Sequence, residues 1–234
     1  MRTRFHENLD QLADRLQAMC LRDRDAIATA TSALLGADLE LSERAIDTCH
    51  EIDAMREDCE HTAVSLLALE APVAGELRRV VTAIQLVGDL VRMAALAEHI
   101  AHVARRRHPE HAVPEAVRPI VAGMGAAATD MATSAAEVLV SGDPHDAAQL
   151  DGQDDTMDHL HEQLLAAILS DEWTGGTAAA VDLTLLGRYY ERFADHAVEV
   201  GRRTIFMATG HSPDHWPSVD PAMNEGGLPG ASRQ

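Results

Sequence analysis

LVGDLVRMAALAEHIAH (residues 86–102) and LGRYYERFADHAVEVGR (residues 186–202) read as two versions of one helix. At a constant offset of 100, Leu86 matches Leu186, Ala94 matches Ala194, Ala97 matches Ala197 and Ile100 matches Val200. In the second copy Leu186, Tyr190, Phe193, Ala197 and Val200 form one stripe at ~100° per residue, the mark of an amphipathic helix. The helices that precede the two copies correspond at an offset of 105: Asp38 with Asp143, Asp53 with Asp158, and Glu57 with Glu162. The change of offset puts a connection of different length between the helices. The chain therefore reads as an internal duplication of a three-helix unit.

Proline and glycine mark the ends of six predicted helices, at 2–35, 39–70, 72–108, 115–141, 144–170 and 177–209. Gly36 is the expected left-handed stop of the first, and Asp38 the cap of the second. Pro72 is expected in the first turn of the third. His108-Pro109 closes that helix, Pro114 opens the fourth, and Pro119 should shift or bend it near its start. Gly142-Asp143-Pro144 supplies a stop, a cap and a first-turn proline. Thr174-Gly175-Gly176-Thr177 parts the last two helices. No sustained alternation between hairpin turns predicts a strand. Short connections make successive helices antiparallel neighbours, and each long apolar stripe must be buried against others. The expected fold is all-α: two tandem antiparallel three-helix bundles at 1–109 and 114–209. The segment 210–234, rich in proline and glycine and without apolar periodicity, reads as a disordered tail.

Apolar residues make up 46% of the chain but aromatics only 3%, so the core must be built from Ala, Leu, Val, Ile and Met. With 38 acidic against 19 basic residues, the formal charge of −19 repels polyanions and excludes non-specific nucleic-acid binding. Arg105-Arg106-Arg107 and Arg202-Arg203 fall near predicted helix ends, where cations offset the negative end of the dipole. The three cysteines, Cys20, Cys49 and Cys59, contain no CxxC pair; Cys49 and Cys59 would lie ~15 Å apart on one helix, too far to bridge. Their use fits a reducing cytosol. The first ten residues lack an apolar signal core, and no uncharged apolar run reaches the ~20 residues of a membrane span. The expectation is a soluble, cytoplasmic protein that meets a membrane only through partners.

Four carboxylates stand out. Asp154 and Asp158 on the fifth helix, and Glu191 and Asp195 on the sixth, are two i,i+4 pairs, each confined to one helix face. Both pairs flank their apolar stripes, near the surface. On antiparallel neighbours they would converge on one groove and repel unless protonated or neutralised by a cation. Oxygen donors suit hard cations, or iron and manganese in carboxylate-bridged clusters. His159, His161 and His196 are close in sequence. Glu57/His61 and Glu98/His102 lack a matched pair on the adjacent helix and read as solvated side chains. The competing reading of the four carboxylates is a solvated acidic face.

Residues 191–200, ERFADHAVEV, resemble the E-R-I-G-D-x-A-x-x-I signature of the PhoU family, accessory regulators of bacterial phosphate uptake. DDTMD at 154–158 sits where that family has its D-x-x-x-D pair, and the resemblance extends over about 1–209. In that family such motifs bind metal ions or multinuclear iron or zinc clusters. The resemblance thus implies that Asp154, Asp158, Glu191 and Asp195 hold a metal ion, with iron, zinc, manganese and magnesium all open. The first repeat departs from the pattern: Cys49 replaces the equivalent of Asp154, Val91 that of Glu191, and Ala95 that of Asp195. Only Asp53 remains, so one family-type site is expected rather than two.

The resemblance further implies a negative regulator that is not an enzyme. It would act by contact with the ATPase subunit of a phosphate ABC transporter and with a phosphate-sensing histidine kinase; a homodimer through surface helices is a further possibility. The rival readings are a metal-dependent helical enzyme, of di-iron or metallohydrolase type, and a metal-free scaffold. A di-iron protein needs inward-facing Glu and Glu-x-x-His ligands on four helices. No such set occurs here, nor any phosphate-binding loop.

Overall fold

The computed structural model describes residues 2–211, with side chains from Arg4 onward. It has six helices: α1 (Arg2–Gly36), α2 (Leu39–Glu70), α3 (Ala74–Arg107), α4 (Arg118–Ser141), α5 (Pro144–Leu169) and α6 (Gly176–Thr209). No strand occurs among the described residues. Residues 212–234, most of the segment read as a tail, lie outside them.

The caps follow the local chemistry. The Asp38 carboxylate accepts from the Leu41 amide at 2.9 Å, and that of Asp143 from the His145 amide at 2.8 Å, each satisfying a donor that the first helical turn leaves free. Gly142 takes the left-handed conformation that stops α4. Two expectations are corrected. The left-handed residue after α1 is Ala37 (φ 50°), and Gly36 is the last helical residue. Pro72 lies outside α3, which starts at Ala74 after the extended Val73. Pro119 does shift its helix: a single 3₁₀ turn, Glu115–Val117, precedes α4, and the proline sits in its first turn, where no amide partner is lost.

α1, α2 and α3 pack on one another, as do α4, α5 and α6, giving the two expected bundles. The bundles join along two seams, α1 against α4 and α3 against α6, and one continuous apolar core runs through both. Its two largest fully buried rings, Tyr190 and Phe193, both come from α6. The rest is mostly small and aliphatic, so the helices must lie close to leave no void. Ala26, Ala30 and Ala33 of α1 and Ala128, Ala132 and Ala135 of α4 are all buried, and across the α1–α4 seam the Cys20 thiol donates to the Ala132 carbonyl at 3.4 Å. Gly125 there has no room for a side chain, because a Cβ would overlap Thr31. The Thr31 hydroxyl lies 2.8 Å from the Ile27 carbonyl oxygen and 2.8 Å from the Tyr190 hydroxyl, so a polar contact joins α1 to α6 at the point where Gly125 of α4 packs on Thr31. Burial pushes the Tyr190 phenol up, and it stays protonated as a donor.

The α3–α6 seam is antiparallel and charged. Arg78 donates to the Met207 carbonyl at 3.2 Å; His99 stacks against Tyr189 with ring centroids 5.1 Å apart. Between them Asp89 of α3 is 3.2 Å from His196 and is bonded by Arg203 of α6. At the far end Arg106 reaches Asp182 at 3.0 Å and Arg107 reaches it at 2.6 Å. Both aspartates are buried, so these arginines do more than offset helix dipoles: they neutralise carboxylates that would otherwise be stranded inside. α3 is long and apolar enough to cross a membrane by length and composition, but Val80, Leu86, Leu90, Met93 and Ile100 of that helix are core residues.

Gly125→Ala is expected to destabilise the protein by about 1–3 kcal/mol, the usual cost of overpacking, seen as a lower urea midpoint. Asp89→Ala should cost about 1–3 kcal/mol, because His196 and Arg203 lose their partner across the seam and Arg203 keeps only Glu199 of its own helix, 3.0 Å away. Asp25→Ala, which removes an exposed partner of Arg24, should leave the midpoint nearly unchanged.

Candidate metal centre

Two glycines set how α6 lies on α5. A Cβ at Gly201 would overlap the Ala147 carbonyl oxygen and Leu150; one at Gly187 would overlap His161 and crowd Leu164. The helices touch backbone to side chain at these two levels, which fixes an antiparallel register. In that register Asp154 stands level with Asp195, and Asp158 with Glu191. Leu150, Met157, Leu164 and Ile168 of α5 are buried against Leu186, Tyr190, Phe193, Ala197 and Val200 of α6. The carboxylates are thereby carried to the rim of the same contact, as their place beside the apolar stripes implies.

The four do not share one environment. Asp154 is half-buried, and one of its oxygens, Oδ1, is shielded from water without a hydrogen-bond partner. Its pKa is raised from 3.8 to about 6, first by that desolvation and then by the negative charges of Asp158, Asp195, Asp151 and Asp155. Asp158 and Asp195 are exposed, and Asp195 is also 3.5 Å from Arg192. Glu191 is turned to one side, where Arg188 donates to it at 2.6 Å and His161 Nδ1 lies 3.3 Å away. Its hydrogen bond in turn raises the pKa of the Arg188 guanidinium.

Of the nearby histidines, His161 joins Glu191, His159 bonds Gln163 at 2.7 Å, and His196 points to the other side of α6, toward Asp89. Among the described residues, no group of three or more His, Cys, Asp or Glu side chains is placed so that it could hold a metal ion as it stands. The chemistry of the donor set nonetheless fits a hard cation: oxygen atoms only, an orphaned buried Oδ1, and an uncompensated negative field centred on Asp154. Asp154, Asp158 and Asp195 share that field, and Glu191 would have to leave Arg188 to join them. His161, named from the sequence as close enough to contribute, does reach the site, whereas Arg188 went unnoticed. The i,i+3 spacing of Arg188 from Glu191 is the signal that would have found it.

The first repeat has no equivalent. Cys49 is buried and its thiol is pushed up to about 12, by burial first and then by Asp23 and Glu98. Asp53 is exposed and paired with Arg56 at 3.0 Å. All three cysteines are free and buried.

The pH dependence of stability follows from Asp154. A native pKa above the unfolded value penalises the charged form, so the penalty is absent near pH 4 and grows as pH rises through about 6. In chelator-treated protein, Asp154→Asn should therefore stabilise the fold at pH 7.5 by about 1 kcal/mol once partial hydration of the carboxyl is allowed for, seen as a higher melting temperature. The difference from wild type should close toward pH 4.

Comparison with known proteins agrees with this duplicated arrangement. A family model described as the PhoU domain matches twice, at residues 16–104 and 121–204. The phosphate-specific transport system accessory protein PhoU homolog 2 of Mycobacterium tuberculosis is 53% identical over 213 residues, covering 91% of this chain and all of that protein. PhoU homolog 1 of Mycobacterium leprae is 51% identical over 214 residues, covering 92% and 96%. The crystal structure of PhoU from Pseudomonas aeruginosa superposes with a TM-score of 0.78 at 22% identity, over 88% of this chain and all of that one. Both repeats carry the family's domain, and this chain belongs to the PhoU family.

Proposed function

We propose that this chain is an accessory regulator of phosphate uptake, acting from the cytoplasm by contact with its partners and not by catalysis. The observation that carries the reading is identity above 50% over nine-tenths of the chain to proteins named phosphate-specific transport system accessory proteins. The partners are the ATPase subunit of the phosphate transporter and the phosphate-sensing kinase. Contact regulates only if the chain binds two states of its partner with different affinity. A pair of bundles joined through one core suits that task, because it presents long helical faces of fixed spacing.

The α5–α6 groove gives such a surface a way to be set. Metal-free, the negative field around Asp154 works against close approach of the two helices at that level. A cation held by Asp154, Asp158 and Asp195, with Glu191 released from Arg188, would supply the positive charge that removes this repulsion. Arg188 and Arg192 would then stand free beside the groove to meet an acidic surface on a partner.

The test is complementation in a strain lacking the protein. Loss of the chain should raise phosphate uptake and starvation-gene expression in phosphate-rich medium, and the wild-type chain should restore repression. A variant carrying Asp154→Asn, Asp158→Asn, Glu191→Gln and Asp195→Asn should fold, contain less metal and fail to repress. Full repression by that variant would remove the metal from the mechanism. Unchanged uptake in the deletion strain would overturn the regulatory reading itself.

A further inference from the structure

Where α3 ends and α6 begins, the seam between the repeats holds an open pocket of about 400 Å³. His99, His102, Arg105 and Arg106 of α3 line one wall, and Leu185 and Tyr189 of α6 the other. Four of the lining side chains are thus basic and none is acidic. That is the reverse of the chain as a whole, with its 38 acidic and 19 basic residues.

The surrounding carboxylates do not cancel this charge. Asp182 is a single carboxylate shared by two guanidiniums, Arg106 at 3.0 Å and Arg107 at 2.6 Å, so one positive charge is left over. Arg105 is 3.3 Å from Glu43, and both side chains are hydrated, 43% and 50% exposed. A pair of that kind contributes little and can be exchanged for a better acceptor. The apolar side of the pocket is equally distinct. The exposed His99 ring lies against Tyr189 with centroids 5.1 Å apart, next to Leu185, which is 42% exposed.

We propose that this pocket binds a phosphate group borne on a planar ring, as in a nucleoside monophosphate. The planar fork of a guanidinium gives two parallel hydrogen bonds to a phosphate, and Arg105 and Arg106 supply two such forks from successive residues. Tyr189, His99 and Leu185 form a ledge on which a flat ring stacks. A bare anion leaves that ledge in water, and an uncharged ring leaves the arginines unused, so the lining asks for both parts in one molecule. The size and the position between two bundles are those of a small-molecule site. The duplication shows that the fold does not need these cations. The positions equivalent to His99, His102, Arg105 and Arg106 are Glu199, Arg202, Ile205 and Phe206.

The experiment is calorimetric titration of the full, chelator-treated chain, so that no metal-bound phosphate contributes. Adenosine 5′-monophosphate is the probe, with adenosine and inorganic phosphate as separate arms. The nucleotide should bind saturably at one equivalent and raise the melting temperature, because binding draws on the folded state alone. Adenosine and inorganic phosphate should each bind about tenfold or more weakly, since each lacks one set of contacts. Arg105→Gln, at an exposed position that does not threaten folding, should weaken nucleotide binding by about tenfold or more. Tyr189→Leu should weaken the nucleotide but not inorganic phosphate. Arg188→Gln, a cation outside the pocket, should change neither. Absence of saturable nucleotide binding would overturn the proposal. So would adenosine or phosphate binding as tightly as the nucleotide, or binding that Arg105→Gln leaves unchanged in a protein with an unaltered melting profile. Complementation tests the regulatory reading separately, and that reading stands or falls without this pocket.

Discussion

Close approach of helices is the constraint on which this molecule depends. A chain with so few aromatic side chains cannot fill wide gaps between helices, so stability must come from bringing backbones together over small residues. Gly125 against Thr31, Gly187 against His161 and Gly201 against the Ala147 carbonyl are the tightest of these contacts. Each is a steric key that permits one register and forbids its neighbours. Packing that short in range transmits position well, and the carboxylates of α5 and α6 face each other because those keys leave them no alternative.

Much of the fold could be read from residues near one another in the chain. Asp38 and Asp143 cap their helices as their side-chain chemistry dictates, and the observed ends fall within two or three residues of those expected. The misplaced stop at Gly36 is instructive. Glycine bears the left-handed conformation at least cost, yet the chain uses Ala37 there, with the Asp38 amide bonded back to the Ala33 carbonyl. Pairings between distant segments were opaque. Arg106 and Arg107 look like ordinary helix-end cations until Asp182, some 75 positions later, is seen beside them. The carboxylate spacing of α5 and α6 was visible as periodicity. Which of the four are free and which, like Glu191, are held by a neighbour depends on side-chain rotamers that spacing does not encode.

Duplication has left the two grooves chemically unlike. Where the second repeat keeps oxygen donors, the first has the buried thiol of Cys49 and the apolar Val91 and Ala95. The third helices, α3 and α6, are both 34 residues long and match in core pattern, although α4 and α5 are shorter than α1 and α2. Charge in the grooves can therefore vary while the fold stands, which is what a scaffold needs if its copies are to take separate tasks.

The ion pairs of the α3–α6 seam have a different implication. They tell like from unlike. Were two first repeats to pair through α3, Asp89 would face Leu96 and Val103, and Arg106 and Arg107 would face Thr82. Were two second repeats to pair through α6, Asp182 would face Phe206 and Met207, and Arg203 would face Tyr189. Either homotypic union buries an aspartate, Asp89 or Asp182, without its arginine partner, at a cost of several kcal/mol. Only a first repeat with a second repeat satisfies them. A duplicated gene that once encoded identical halves would have allowed any pairing; this one has acquired an internal code of polarity. If two chains ever exchange halves, the code requires that they do so reciprocally.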